Sequence, residues 1–204
     1  ELGGQPLIVH SIKMAQRLDC IDRIFVSTDS DDIAAVARSH NVEVIGRPSE
    51  LATDTAPEWE AWQHSISHVQ NSLDAQFDVF LSLPCTSPLR APADIERCIS
   101  ALSGDVDVVI SMTPSARSPY FNMVVHDDTG HLRLVVGSSG FKRRQDVPVV
   151  FDVTTVAYVS RPDFILNNNS LFDGKVTGVS IPRERAIDID DEFDFLIAET
   201  LIKQ

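Results

Sequence analysis

Leu7, Ile8, Ile12, Ala15 and Leu18 recur at helical spacing, so residues 7–18 read as an amphipathic helix with Pro6 at its first turn. Ile24-Phe25-Val26 is a short apolar strand closed by polar Ser27-Thr28-Asp29-Ser30, whose side chains suit the start of a helix over 31–39. A second strand follows at 42–45 and a helix at 58–69. Residues 79–83 form a buried strand running into Pro84, and 93–102 a helix with Asp94 and Glu96 in its first turn. Residues 107–111 form the next strand. This βαβα alternation with short connections predicts an α/β fold, with a mostly parallel sheet flanked by helices on both faces. Residues 112–150 break the rhythm with prolines, glycines, Arg117 and the basic run Lys142-Arg143-Arg144. Strand-like runs at 123–125 and 132–136 predict an extended hairpin arm there, and an excursion of this length in a compact domain is usually functional. Strands at 153–159 and 176–181 and a closing helix at 191–202 complete one domain over 1–204. In that last helix Phe193, Leu196, Ile197, Thr200 and Leu201 share a face.

The run from Ala186 to Asp194 carries the strongest chemical signal. It begins as an alternating apolar and acidic strand end. Residues two apart on a strand share a face, so Asp188 and Asp190 aim two carboxylates at one spot while Ile187 and Ile189 face the core. Two close carboxylates repel unless a cation lies between them. A hard ion such as Mg2+ meets that need and brings substrate phosphates with it. The alternative reading is a cap: Asp190 or Asp191 sits where a side chain would close the last helix.

Charge narrows the function classes. The chain carries a formal net charge of -13, which disfavours nucleic-acid backbones and anionic membranes as partners. An anionic small substrate then requires a local basic pocket, and the clustered arginines become the residues to follow. Cys20, Cys85 and Cys98 form no C-x-x-C pair and are odd in number, which suits a cytoplasmic protein without a disulfide frame. No apolar run reaches membrane-span length.

In a doubly wound sheet, ligands sit outside the carboxyl ends of the strands. The polar strand ends Ser27-Thr28-Asp29, Arg47-Pro48, Thr86-Ser87 and Asp188/Asp190 are therefore expected on one rim. The loop from Arg47 to Ala56, with Asp54 and Thr55, offers donors for a base and a ribose, and reads equally as a surface loop with a helix cap. Pro84-Cys85-Thr86-Ser87-Pro88-Leu89-Arg90 is a loop fixed by two prolines, with hydroxyls able to donate to a ligand. Arg143-Arg144-Gln145-Asp146 places two guanidinium forks in an acidic protein, suited to carboxylate or phosphate or to a solvated arm tip. His64 and His68, four apart on a helix, have no third ligand nearby. No Ser/His/Asp or Cys/His set stands out for covalent catalysis.

Together these strings resemble the acylneuraminate cytidylyltransferases, the CMP-sialic acid synthetase family, over nearly the whole chain. Leu2 to Ile8 resembles the segment after that family's nucleotide loop, and Val26 to Ser30 its second strand end. Arg47 to Ala56, Thr86 to Arg90, Arg143 to Asp146 and Ile187 to Asp190 fall in the family order. The resemblance implies a Rossmann-like nucleotidyltransferase fold with a dimerisation arm, and a homodimer. It implies a reaction of CTP with a nine-carbon 2-keto sugar acid, giving a CMP-sugar and pyrophosphate, with Mg2+ offsetting phosphate charge. By the same resemblance Asp188 and Asp190 hold Mg2+, and Arg47, Asp54, Thr55, Ala56, Thr86 and Ser87 hold the nucleotide. Arg144, Thr154 and Tyr158 face the sugar, and Phe172 is lent to the partner's site. This sequence departs from the family at three places. Its N-terminal strand and glycine- and lysine-bearing nucleotide loop are expected upstream of Glu1. Pro84-Cys85 replaces a glutamine-proline pair, and Thr154-Thr155 replaces Asn-Gly. The last two changes fall in the sugar pocket and admit legionaminate, pseudaminate, Kdo or another sugar acid. A catalytically inactive, dimeric nucleotide-sugar binding module is the reading from a different class.

Overall fold

A computed structural model describes residues 1–203 except Ser138, Ser139 and Lys142, and the backbone of Arg144 without its side chain. Helix α1 (Leu7–Ala15) leads to strand β1 (Phe25–Thr28), helix α2 (Asp31–Ser39) and strand β2 (Glu43–Gly46). The Ser30 hydroxyl accepts from the Ile33 amide at 3.4 Å, and Asp31 and Asp32 in the first turn suit the positive end of α2. β1 and β2 pair in parallel, Phe25 opposite Glu43 through Thr28 opposite Gly46. Buried Ile12, Val26, Ala37 and Val42 cluster between this ribbon and α1 and α2.

After α3 (Glu58–Ser72) come β3 (Phe80–Ser82), α4 (Pro92–Ala101) and β4 (Val108–Pro114). The hairpin strands β5 (Val124–His126) and β6 (Leu132–Leu134) follow, then β7 (Phe151–Ser160), α5 (Pro162–Asn167), β8 (Val176–Ser180) and α6 (Glu192–Leu201). The main sheet has the order β3-β7-β4-β8. β7 is antiparallel to both its neighbours, and β4 is parallel to β8. The sheet is thus mixed, and the expected mostly parallel sheet is corrected. The cause is the excursion between β4 and β7. Parallel neighbours need a crossover, usually a helix, whereas this chain goes out through a hairpin and returns in the opposite direction. The expected hairpin is present at 124–134, closed by Asp127 Oδ1, which accepts from the Thr129 amide at 2.9 Å and the His131 amide at 3.0 Å.

Two further expectations change. The strand expected to be buried over 79–83 is β3, half-buried, with Val79 39% exposed. It pairs with β7 alone among the described residues, so one side of it lacks a sheet neighbour. In α6 the face expected to be shared is largely open: Phe193 and Leu196 are 68% and 58% exposed, and the buried residue of the helix, Ala198, lies outside that face. α5 was not expected from periodicity. It is six residues long and is held by α3, whose Trp59 indole donates to Asn168 O at 2.8 Å and Gln63 amide to Ile165 O at 2.9 Å.

One irregularity positions the site. Between the pairs Ile110/Tyr158 and Ser111/Thr154 the β4–β7 register shifts, so residues 155–157 bulge out of the ladder. The buried Ser111 hydroxyl stitches the bulge. It takes the Thr154 hydroxyl at 2.9 Å and the Ala157 amide at 3.0 Å, and reaches Thr154 O at 2.8 Å.

Candidate active site

The acidic run is not a strand end. β8 stops at Ser180, Pro182 starts a 3-10 turn over Arg183–Arg185, and residues 186–190 follow outside any ladder. Arg185 draws the chain aside through a two-pronged bond to Asp94, Nε to Oδ2 at 2.7 Å and Nη2 to Oδ1 at 3.0 Å. The Pro84–Arg90 loop then holds the run from the other side. The Ile189 amide donates to Thr86 O at 2.9 Å, and the Ser87 hydroxyl donates to Ile187 O at 3.1 Å. Ser87 is fully buried and shares a 2.7 Å bond with Thr155 Oγ1 in the β7 bulge.

These contacts separate capping from the acid pair. Asp191 is the cap: its Oδ1 accepts from the Phe193 amide at 2.8 Å and the Asp194 amide at 2.9 Å. Asp188 and Asp190 are left over. Asp188 is half-buried, and its Oδ1 is shielded from solvent with no hydrogen-bond partner. The Asp188 charge is the main cause holding the exposed Asp190 carboxyl above its ordinary range, with desolvation, Asp194 and Asp191 adding to it. The two carboxylates therefore repel each other.

Around Asp188 the fold gathers groups from distant parts of the chain. Arg47, at the end of β2, donates from Nε to Ser27 Oγ at 3.2 Å and from Nη2 to Ser27 O at 2.9 Å, tying the ends of β1 and β2 together. Glu58, first residue of α3, accepts from the Trp62 indole at 3.1 Å. Desolvation lifts the Glu58 carboxyl and Asp188 lifts it further, while Trp62 and Arg47 pull it back. Burial pushes the Tyr158 hydroxyl up to about 12, assisted by Glu58 and Asp188. Its ring packs 5.3 Å from that of Trp62. Burial also raises the Cys85 thiol. Arg90, 3% exposed, lies beneath the loop, donating to Pro84 O, to Ser11 Oγ at 3.4 Å and to Thr155 O at 3.4 Å. Burial brings its guanidinium down to about 10, opposed by Cys85 and Asp188.

The structure brings only some of the residues singled out from sequence together. Arg47, Tyr158 and Asp188 lie within electrostatic reach of Glu58, and Asp190 within reach of Asp188. Ser87 and Thr154 have their hydroxyls on protein partners, and Thr154 is 5% exposed, so both shape the site from behind. Asp54 and Thr55 stay exposed on the loop beside Ala56, and Phe172 is 66% exposed on a 3-10 turn. The Arg144 side chain lies outside the described residues. Its neighbour Arg143 forms an exposed two-pronged bond to Asp146 at 2.9 and 2.8 Å. His64 and His68 have rings 6.4 Å apart. Among the described residues no three His, Cys, Asp or Glu side chains form a metal cage, and no helix is long and apolar enough to cross a membrane. Sequence reading missed Glu58 and the Thr155 bulge. Glu58 did carry a signal, as an acid just after Pro57 at a helix start; the bulge carried none.

Residues 1–189 match the family described as cytidylyltransferase. The chain is 36% identical, over its full length and 87% of the relative, to the post-translational flagellin modification protein B of Campylobacter coli. It is 33% identical, over 96% of this chain and 83% of the relative, to the CMP-N,N'-diacetyllegionaminic acid synthase of Campylobacter jejuni. To an N-acylneuraminate cytidylyltransferase of Streptococcus agalactiae it is 27% identical, spanning 46% of that longer protein. Among solved structures, a 4-diphosphocytidyl-2C-methyl-D-erythritol synthase superposes with a TM-score of 0.72 over 99% of this chain and 92% of that one, at 13% identity. A CMP:2-keto-3-deoxy-manno-octonic acid synthetase complexed with CTP superposes with a TM-score of 0.67 over 100% of this chain and 90% of that one, also at 13% identity. The superpositions carry the mixed α/β nucleotidyltransferase fold. The sequence matches carry the membership: this chain belongs to the cytidylyltransferase family.

Proposed function

We propose that the protein transfers a cytidylyl group from CTP to a nonulosonic, sialic-type sugar acid. The anomeric hydroxyl oxygen bonds to the α-phosphorus and loses its proton to solvent, the bond to the bridging oxygen breaks, and pyrophosphate leaves. The carrying observation is Asp188, with a buried, partnerless carboxylate oxygen beside Asp190 in a loop locked by Thr86 and Ser87. Mg2+ fits that arrangement, since it takes one or two carboxylates and completes its shell with phosphates and waters. Asp188 and Asp190 would hold it, and when bound it would offset charge on the phosphate oxygens. The remaining work for the protein is positioning and charge placement, which needs no covalent enzyme intermediate.

Arg47 and the loop through Asp54, Thr55 and Ala56 are assigned to the nucleotide, with Thr86 at its edge. Ser87 and Thr154 act by fixing the loop and the bulge. Tyr158 stays a neutral hydrogen-bonding hydroxyl across the physiological range, because its proton is held to about pH 12, and it faces the sugar together with Arg144. Residues 1–204 work as one domain, with 112–150 as an arm. Val124, Leu132 and Val149 are 52%, 62% and 78% exposed, apolar surface on the arm that favours pairing of two copies through it, with Phe172 reaching the second copy's site. A legionaminate-type acid is supported over N-acetylneuraminate by the 33% identity to a legionaminic acid synthase against 27% to the acylneuraminate enzyme, and by Pro84-Cys85 and Thr154-Thr155.

The test is pyrophosphate release by the full-length protein from CTP and each other nucleoside triphosphate, with Mg2+ and a panel of nonulosonic acids. Release with CTP and one or more of these acids is expected. Nucleotide binding with no release on any acid would instead support the binding-module reading.

A further inference from the structure

A second cleft lies on the far side of Asp94 and shares no residue with the site around Asp188. It has a volume of ≈ 660 Å³ and is walled by Ala93, Pro114, Ile181 and Pro182. Its charged lining is Arg97, Arg183 and Arg185 against the single carboxylate of Asp94, an excess of two positive charges in a chain of net charge -13.

The donors are partly free. Asp94 is fully buried, and its oxygens are filled by the Ala91 amide at 3.1 Å, Arg97 Nη2 at 2.9 Å and the two prongs of Arg185. That arrangement engages Nε and Nη2 of Arg185 and leaves Nη1. Arg97 has one further contact, to Ser180 O at 3.2 Å. The exposed Arg183 guanidinium has no hydrogen bond or ion pair to any described residue, and only its backbone carbonyl is engaged, by the Ala186 amide at 3.1 Å. At the floor, Thr113 is 8% exposed, and its buried hydroxyl has no partner. The first turn of α4, with Ala93 and Asp94, borders the cleft and adds the positive end of a helix. Acids stand nearby without lining it: Glu184 beside Arg185, and Asp152 opposite Thr113 across the β4–β7 ladder. Asp94 holds two of the arginines in fixed directions, so little ordering of those side chains remains for a ligand to impose.

We propose that this cleft binds a phosphate-class oxyanion, held between the free prongs of Arg183 and Arg185 with Arg97 at its flank. A doubly charged tetrahedral anion matches both the excess of two charges and the planar forks. The apolar walls leave room for an organic group carrying the phosphate. Arg185 lies three residues before Asp188, so an anion drawing on Arg185 acts on the same segment that carries the acid pair.

The experiment is calorimetric titration of inorganic phosphate into the full-length protein, without CTP or Mg2+, at low ionic strength. Saturable binding at about 1 mM or tighter is expected. Arg183→Glu is exposed and unpaired, so it leaves the fold intact by circular dichroism. It should weaken phosphate by at least about tenfold while leaving CTP binding unchanged. Arg97→Gln should weaken it as well, and acetate should bind at least about tenfold more weakly than phosphate. Absence of saturable phosphate binding, unchanged affinity in Arg183→Glu, or parallel loss of CTP binding would each overturn the proposal. Failure of the cytidylyl-transfer assay leaves these outcomes readable, since none of them depends on turnover.

Discussion

Asp94 and Asp188 are both carboxylates drawn in from water, and the fold treats them oppositely. Asp94 is fully buried and surrounded by two arginines and a backbone amide. Burial alone would raise its carboxyl, yet Arg185, Ala91 and Arg97 overcome that and leave it below the ordinary range. Asp188 is half-buried with a partnerless oxygen, and its charge disturbs Asp190, Glu58 and Tyr158. A carboxylate whose hydrogen bonds are complete serves the fold. One left incomplete among like charges is a place where a cation has something to gain. The two are linked through Arg185, which bonds to Asp94 and lies three residues before Asp188.

Substitution at each position should break the comparison in a different observable. The largest effect is expected for Asp188→Ala, which should lower kcat for cytidylyl transfer by about 10²–10³-fold, the scale for losing one preorganised electrostatic contact at a reacting centre. Steady-state kinetics with Mg2+ at saturation check it, and a loss under tenfold would move Asp188 out of the chemistry. Asp94→Ala should cost stability first, about 2–3 kcal/mol by urea unfolding. That is below the value for a fully buried pair, because Arg97 and Arg185 can turn back to water.

The same carboxylate sets a pH signature. A folded value below the unfolded one means stability that is complete above about pH 4 and is lost as pH falls through the folded value. Unfolding free energies of the wild type should therefore fall as the pH drops below about 4, and Asp94→Asn should flatten that slope. An equally steep slope in the variant would assign the acid sensitivity to other carboxylates.

Ser111→Ala sharpens the link between sheet and site. It leaves the Ala157 amide and Thr154 hydroxyl without their shared partner, at a cost of about 1–2 kcal/mol. Because the bulge sets Thr155 against Ser87, the variant should also raise KM for the sugar acid more than KM for CTP. Equal changes in the two constants would show that the bulge matters to stability alone. The smallest effect is expected for Asp188→Asn in the ligand-free protein. Removing one of two repelling charges lowers the Asp190 carboxyl toward its ordinary range and leaves Tm unchanged or slightly higher, in contrast to the loss at Asp94. Thermal melts without Mg2+ measure it, and a marked fall in Tm would mean that Asp188 supports the fold.

Much of this was legible in the residues themselves. The 3.6-residue and two-residue periodicities placed α1 to α4 and β1 to β4 because those elements bury one face against a neighbour close in sequence. The acid pair was singled out by strand alternation, two aspartates two apart in an apolar frame, and the structure brings the two charges close while placing both residues outside any strand. Three features were not legible. The direction of β7 depends on how an excursion returns, and hydrophobic period carries no direction. The exposure of Phe193 and Leu196 depends on which part of a helix surface its neighbours cover. The Thr155 bulge depends on one buried hydroxyl, Ser111, more than forty residues earlier.

By itself, the sequence determined the alternating elements, the hairpin excursion, the acidic pair and the polar loops that accompany it, since each arises from local spacing and local chemistry. Only the tertiary structure decided which aspartate caps α6 and which is left unsatisfied, that the Ser87 and Thr154 hydroxyls are taken up by protein partners, and that Glu58 comes within electrostatic reach of Asp188. It also decided that Arg97, Arg183 and Arg185 line a second cleft around Asp94. Hydrogen-bond satisfaction and desolvation depend on which groups meet from distant parts of the chain, and local spacing does not encode that meeting.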